Sequence, residues 1–133
     1  MIQQAILELM YLAALSDGEL CEIELNSITI KLKTYPLLIN IGTNQKNKIL
    51  SDLLGTLQDK TTKDILKEIK EIIPDNLKKT AYAFALEVCA KDLVLHKNEI
   101  SFLKYLAKLF NIDNETADAL RKSIDVRYFA PLD

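Results

Sequence analysis

Four acidic residues occupy equivalent positions in two copies of one short sequence pattern. Residues 13–24 align with residues 88–99, and both copies keep an aspartate, a leucine three residues later and a glutamate seven residues later. Each copy reads as an apolar helix, a short turn and the start of another helix, which indicates a duplicated helix pair related by approximate two-fold symmetry. The four acids are Asp17, Glu24, Asp92 and Glu99.

Carboxylates in this pattern are suited to binding a hard divalent cation. Asp17 follows Met10 and Ala13 at helical spacings of three and four, and Asp92 ends an equivalent stripe in the second copy, so both carboxylates are expected to be partly desolvated. If the two copies pack about a two-fold axis, the four carboxylates approach one another, and a bound cation would neutralise their repulsion. Oxygen ligands favour calcium, magnesium or manganese.

The same residues also fit two other interpretations. Cys21 and His96 stand at helix N-cap positions, and Glu24 and Glu99 follow three residues later, where the glutamate of a capping box lies. Alternatively, Cys21 and His96 together with the two aspartates offer the softer donors that zinc prefers, although the closely spaced ligand pairs of zinc modules are missing from the sequence. An EF-hand is excluded, because the positions of its first two acidic ligands are apolar here.

Helices are predicted for nearly the whole chain. The sequence has only three glycines and three prolines, and the alternation typical of strands is almost missing. We therefore predict a compact all-α bundle of about seven helices in one domain, residues 1–133, with a flexible connection at 37–44 and a tail at 128–133. The first repeat spans 1–35, the middle helices 45–73, the second repeat 75–110, and the C-terminal helix and tail 113–133.

Residues at the predicted helix ends locate the boundaries. Pro36 and Pro74 bar continuation of the second and fourth helices. Thr61 or Thr62 is predicted to cap the fourth helix and Asp75 the fifth. Asn111 is predicted to end the sixth helix. The predicted helices are residues 2–16, 22–35, 45–57, 62–73, 76–92, 97–110 and 114–126.

Composition excludes several functional classes. The chain has 133 residues, of which 49% are apolar and 27% charged, and its net charge of −2 gives no electrostatic reason to expect nucleic-acid binding. The apolar stretch at 5–15 contains Glu8 and is too short to cross a bilayer, so we expect a buried helix and no membrane insertion. Cys21 and Cys89, with no signal-like start, favour a cytoplasmic protein. The sequence contains no phosphate-binding glycine loop or nucleophile–base–acid set, so we expect no enzymatic activity.

The paired motifs resemble the TerB family of tellurite-resistance proteins. The resemblance is carried by Asp17-Gly18-Glu19-Leu20 with Glu24, by Asp92 with Glu99, and by residues 102–112, and it covers nearly the whole chain. It implies a helical bundle, a metal ion held by these four acids, and an accessory role in bacterial resistance to tellurite and other stresses. The second copy departs from the family pattern at Leu93, where glycine is expected, and at Lys97, where an acidic or small residue is common.

Two other functions stay open from the sequence. One is a metal-free helical interaction module of the co-chaperone or scaffold kind, which would dock a partner protein on an exposed apolar patch including Tyr128, Phe129 and residues 36–41. The other is a metal-dependent hydrolase that uses the same acids. The sequence leaves the oligomeric state open.

Overall fold

Seven α-helices account for most of the chain that the structure describes. This computed structural model describes residues 2–16, 22–34, 36, 38, 40–89 and 97–129, with the backbone alone at 22–24, 27, 31, 34 and 123–129. No strand occurs within these ranges, and the helices form a compact bundle, which confirms the predicted all-α class. The helices are α1 (Ile2–Leu15), α2 (Glu22–Thr34), α3 (Thr43–Thr56), α4 (Thr62–Ile72), α5 (Asp75–Cys89), α6 (Lys97–Leu109) and α7 (Asn114–Phe129).

The first helix is the centre of the bundle. It packs against α2, α3, α4, α5 and α6. The sequence predicts a buried helix at 5–15, and the structure buries every side chain from Ala5 to Ala14 except the half-buried Glu8, including Leu7, Tyr11 and Leu12 beside the predicted apolar stripe. A helix that is apolar on all sides is stable in water only when other elements surround it. The other helices are therefore arranged around α1.

Local side-chain chemistry explains where several helices start. Thr61 caps α4 as predicted, and Asp113 caps α7 by accepting a hydrogen bond from the Thr116 N–H at 2.6 Å. The prediction for the fifth helix is wrong in detail. Asp75 is the first residue of α5 rather than its cap, and its exposed carboxylate forms an ion pair with Lys78.

The turn between α6 and α7 is a Schellman motif. Asn111 has the left-handed backbone conformation, with φ of 57°. The Ile112 N–H donates to the carbonyl of Ala107 at 2.8 Å, and the Asn111 N–H donates to that of Lys108 at 3.3 Å. This confirms the predicted helix end at Asn111. Because the turn is short and fixed, it sets the direction in which α7 leaves α6.

The connection between α2 and α3 is anchored in the core. Leu38 is 0% exposed and Ile41 is 7% exposed, and the Ile41 N–H donates to the Leu38 carbonyl at 3.1 Å. These two residues therefore contribute no exposed apolar surface, whereas Pro36 is exposed and Leu37 and Ile39 lie outside the described residues, so the patch at 36–41 stays a prediction. The third helix begins at Thr43 rather than residue 45, because Gly42 serves as its N-cap.

The last helix is longer than predicted. α7 runs to Phe129 instead of ending near residue 126, so Tyr128 and Phe129 belong to a helix rather than to a tail. Their side chains and residues 130–133 lie outside the described part of the chain. Within that part, no helix combines the length and apolarity needed to cross a lipid bilayer.

Candidate functional site

Glu99 is a carboxyl group enclosed in the helical core. It is the third residue of α6 and is 0% exposed. It lies four and seven residues before Leu103 and Leu106, on the same face of the helix as these buried leucines. A carboxyl group in such a place needs hydrogen-bond donors, a proton or a cation, because burial strongly disfavours an uncompensated charge. The carboxyl group of Glu99 must therefore be compensated inside the core.

Asp64 shows how an acid at the same helical position behaves at the surface. It is the third residue of α4, and its exposed carboxylate accepts a hydrogen bond from the Thr61 N–H at 3.4 Å. The Asp64 N–H donates in return to Thr61 Oγ1 at 3.2 Å, which completes a capping box. Glu99 holds the equivalent position in α6 but is buried. Helix capping in water accounts for Asp64 and does not by itself account for the enclosure of Glu99.

The start of α6 lies beside the end of α1 and the start of α4. Ser16, Thr62 and Asn98 are among the residues that line one open cavity of about 350 Å³. On the same side, Lys63 Nζ lies 5.1 Å from the centre of the Tyr105 ring, a cation–π contact between α4 and α6. Ser16 directly precedes Asp17 in the sequence, and Asn98 directly precedes Glu99. The chain therefore reaches the same cavity immediately before two of the predicted ligands.

The carboxyl-terminal ends of α1 and α5 are side by side. The Cys89 thiol lies 3.7 Å from the carbonyl oxygen of Ala13, and both residues are fully buried although 76 positions separate them. The Ser16 hydroxyl donates to the same carbonyl at 2.6 Å and closes the end of α1. Asp17 and Asp92 follow these two helix ends by two and three residues. The packing thus brings together the C-terminal ends of the first helix of each predicted repeat.

The other predicted ligands fall outside what the structure describes. Asp17 and Asp92 lie outside the described residues, as do Cys21 and His96 of the alternative zinc site. Glu24 is the third residue of α2, and its side chain is likewise outside the description. Within the described ranges, no group of three or more histidine, cysteine or acidic side chains is placed to hold a metal ion. The four-carboxylate cluster stays a prediction.

Two further acids are half-buried or buried but were not predicted as site residues from the sequence. Burial raises the pKa of the half-buried Glu8 above its usual range, a hydrogen bond from Gln4 opposes this shift, and the nearby carboxylates of Glu68 and Asp52 add to it. Glu87 on α5 is 8% exposed. The sequence shows each of them only as a single acid within an apolar helical run. Periodicity alone does not tell whether such an acid is buried or exposed to solvent.

Comparison with protein-family models, curated proteins and solved structures found no match to this chain. The resemblance to the TerB family therefore depends on the paired acidic motifs themselves. Of those motifs, the described residues contain the helical segments on either side of each turn and the complete side chain of Glu99.

Proposed function

We propose that this chain is a non-enzymatic, TerB-like accessory protein of the bacterial stress response that binds a divalent cation. The ligands would be Asp17, Glu24, Asp92 and Glu99. The observation that carries this proposal is the complete burial of Glu99 at the start of α6, directly after Asn98, which lines the same cavity as Ser16 at the end of α1. An acid enclosed at that point matches the donor type and the location that the paired motifs require.

The packing of the helix ends supports bringing the two motifs together. Ala13 and Cys89 are in contact at the ends of α1 and α5, and the first aspartate of each motif follows within a few residues. The second acid of each motif is the third residue of α2 or α6, and both of these helices pack against α1 and α5. Each of the four acids therefore belongs to, or closely follows, a helix that packs against α1 or α5.

The carboxylates themselves indicate the class of ion. Four carboxylates supply hard oxygen donors, which suit calcium, magnesium or manganese better than zinc. Such an ion would offset the repulsion between the acids and link the two helix pairs. Its expected role is to hold the bundle in one conformation, since a ligand that binds only the folded state stabilises that state.

Thermal unfolding with and without metal tests the proposal. The protein is treated with a chelator and melted alone and with each of calcium, magnesium, manganese and zinc. A cation present at one hundred times its dissociation constant should add about 2.7 kcal/mol to the free energy of unfolding. At this chain length that corresponds to a rise of roughly 10 °C in Tm. Identical melting curves for the protein alone and with each of the four metals would reject metal binding.

Paired variants separate a metal ligand from a structural acid. Glu99→Gln keeps the size of the side chain but removes its charge, so the metal-dependent rise in Tm should be lost. Asp64→Asn is the matched control, because Asp64 holds the same helical position in α4 and is exposed. It should keep the full rise. If Glu99→Gln keeps the rise as well, Glu99 is not a ligand.

A further inference from the structure

A groove between α5, α6 and α7 is separate from the acidic motifs. It has a volume of about 620 Å³, and its floor includes Leu86, Ile100 and Leu103. Leu86 and Leu103 are core residues, so the groove opens directly onto the apolar interior. The Schellman turn at Asn111 directs α7 onto α5, and the groove opens between α6 and α7. Its size falls within the range of small-molecule sites in proteins, roughly 300–1,000 Å³.

The rim of the groove carries positive charge on a protein whose net charge is negative. Lys104 and Lys108 are exposed and lie one turn apart on α6, and the exposed Arg121 belongs to the lining on α7. The lining also contains two acids. These are Asp113, which is the cap of α7, and the exposed Asp118, so the three cationic side chains of the lining outnumber its carboxylates by one. The rim therefore favours an anionic group.

We propose that this groove binds a free long-chain fatty acid, with the alkyl chain on the apolar floor and the carboxylate at the cationic rim. The floor supplies the apolar contact that one alkyl chain needs, and long lysine and arginine side chains can reach a carboxylate at the mouth while their stems cover apolar surface. A docked helix would instead need a row of pockets for successive anchor residues. The volume of about 620 Å³ is that of a small-molecule site and suits a single alkyl chain.

Binding can be measured with a fluorescent fatty acid. Dansylundecanoic acid should gain fluorescence on binding the whole protein, and hexadecanoic acid below its aggregation concentration should displace it. The methyl ester of the same acid should bind about tenfold more weakly, because it lacks the charge that the rim recognises. Equal affinity for acid and ester, or no displacement by hexadecanoic acid, would overturn the proposal.

Charge-reversal variants locate the site. Lys104→Glu combined with Lys108→Glu should weaken binding of the acid about tenfold and leave that of the ester unchanged. The control combines Lys48→Glu with Lys67→Glu, which changes the net charge equally at exposed positions on α3 and α4 outside the groove. This control should bind as the unmodified protein does. Equal loss in both double variants would refute the site, since the effect would then reflect net charge alone.

A blocking variant tests the floor. Ala107 is half-buried in the lining, and Ala107→Trp should fill the space and abolish binding of both acid and ester. Circular dichroism verifies that the variant remains helical, and the charge-reversal pair tests the same site should it unfold. If amide signals of the groove respond to an acidic amphipathic peptide and not to the fatty acid, the groove is a protein-docking surface and the proposal is wrong.

Discussion

The contact between α1 and α5 gives a direct test of the packing on which the proposed metal site depends. Ala13 is 0% exposed, and its carbonyl oxygen lies 3.7 Å from the Cys89 thiol. A leucine at this position adds a branched side chain where two helices already meet closely. Overpacking a dense core in this way typically costs about 1–3 kcal/mol. Ala13→Leu is therefore expected to lower the free energy of unfolding by that amount.

Thermal melting followed by circular dichroism measures this effect. For a chain of this length each kcal/mol corresponds to roughly 3–5 °C, so Tm should fall by about 3–15 °C. The metal-dependent rise in Tm should also shrink, because the added side chain pushes apart the helix ends that precede Asp17 and Asp92. Ala83→Leu is the matched control, since Ala83 lies on α5 but is only half-buried. It should change Tm by no more than a few degrees.

Three results would count against this reasoning. If Ala13→Leu melts within about 1 °C of the unmodified protein, α1 and α5 are not closely packed at Ala13. If instead Tm falls as expected while the metal-dependent rise is unchanged in size, the packing is correct but the metal site does not depend on it. A fall of equal size in Ala83→Leu would show that the cost is not specific to the helix contact.

Two further predictions concern a turn and a buried acid. Asn111→Ala should lower the free energy of unfolding by about 1 kcal/mol, because alanine tolerates the left-handed conformation poorly. Asn111→Gly should be neutral or stabilising. Urea unfolding measures both variants, and equal stability of the two would contradict the assigned turn. Burial raises the pKa of Glu8 in the folded protein above its ordinary value of 4.5. The stability that the Glu8 carboxyl contributes is therefore fully present below pH 4.5 and is lost as the pH rises through the folded-state pKa. Glu8→Gln should therefore remove part of the decline in Tm above about pH 4.5, and an unchanged pH profile would show that Glu8 does not titrate differently on folding.

Much of the fold follows from local features of the sequence. Pro36, Pro74 and Asn111 interrupt the helical periodicity, and the observed helices end beside them. The misplaced boundaries have local causes as well. Gly42 lets α3 begin two residues early without a side-chain cap, and α7 continues through residues that Pro131 suggested were a tail.

Burial could be predicted less well, because it depends on which helices meet. Periodicity identifies one apolar stripe on α1, but only the surrounding helices decide that Leu7 and Leu12 are also covered. Glu99 illustrates the same limit at the candidate site. Its position in the first turn of α6 equally fits an exposed capping-box acid such as Asp64, and its enclosure depends on the neighbouring helices.

The central position of α1 has a consequence for biosynthesis. This helix is translated before its main partner α5, and the contact between Ala13 and Cys89 joins residues 76 positions apart. At a translation rate of about 5–20 residues per second, the ribosome takes roughly 4–15 s to proceed from Ala13 to Cys89. During that interval the apolar surface of α1 that α5 later covers is exposed to water. We therefore expect the nascent chain to bind a ribosome-associated chaperone.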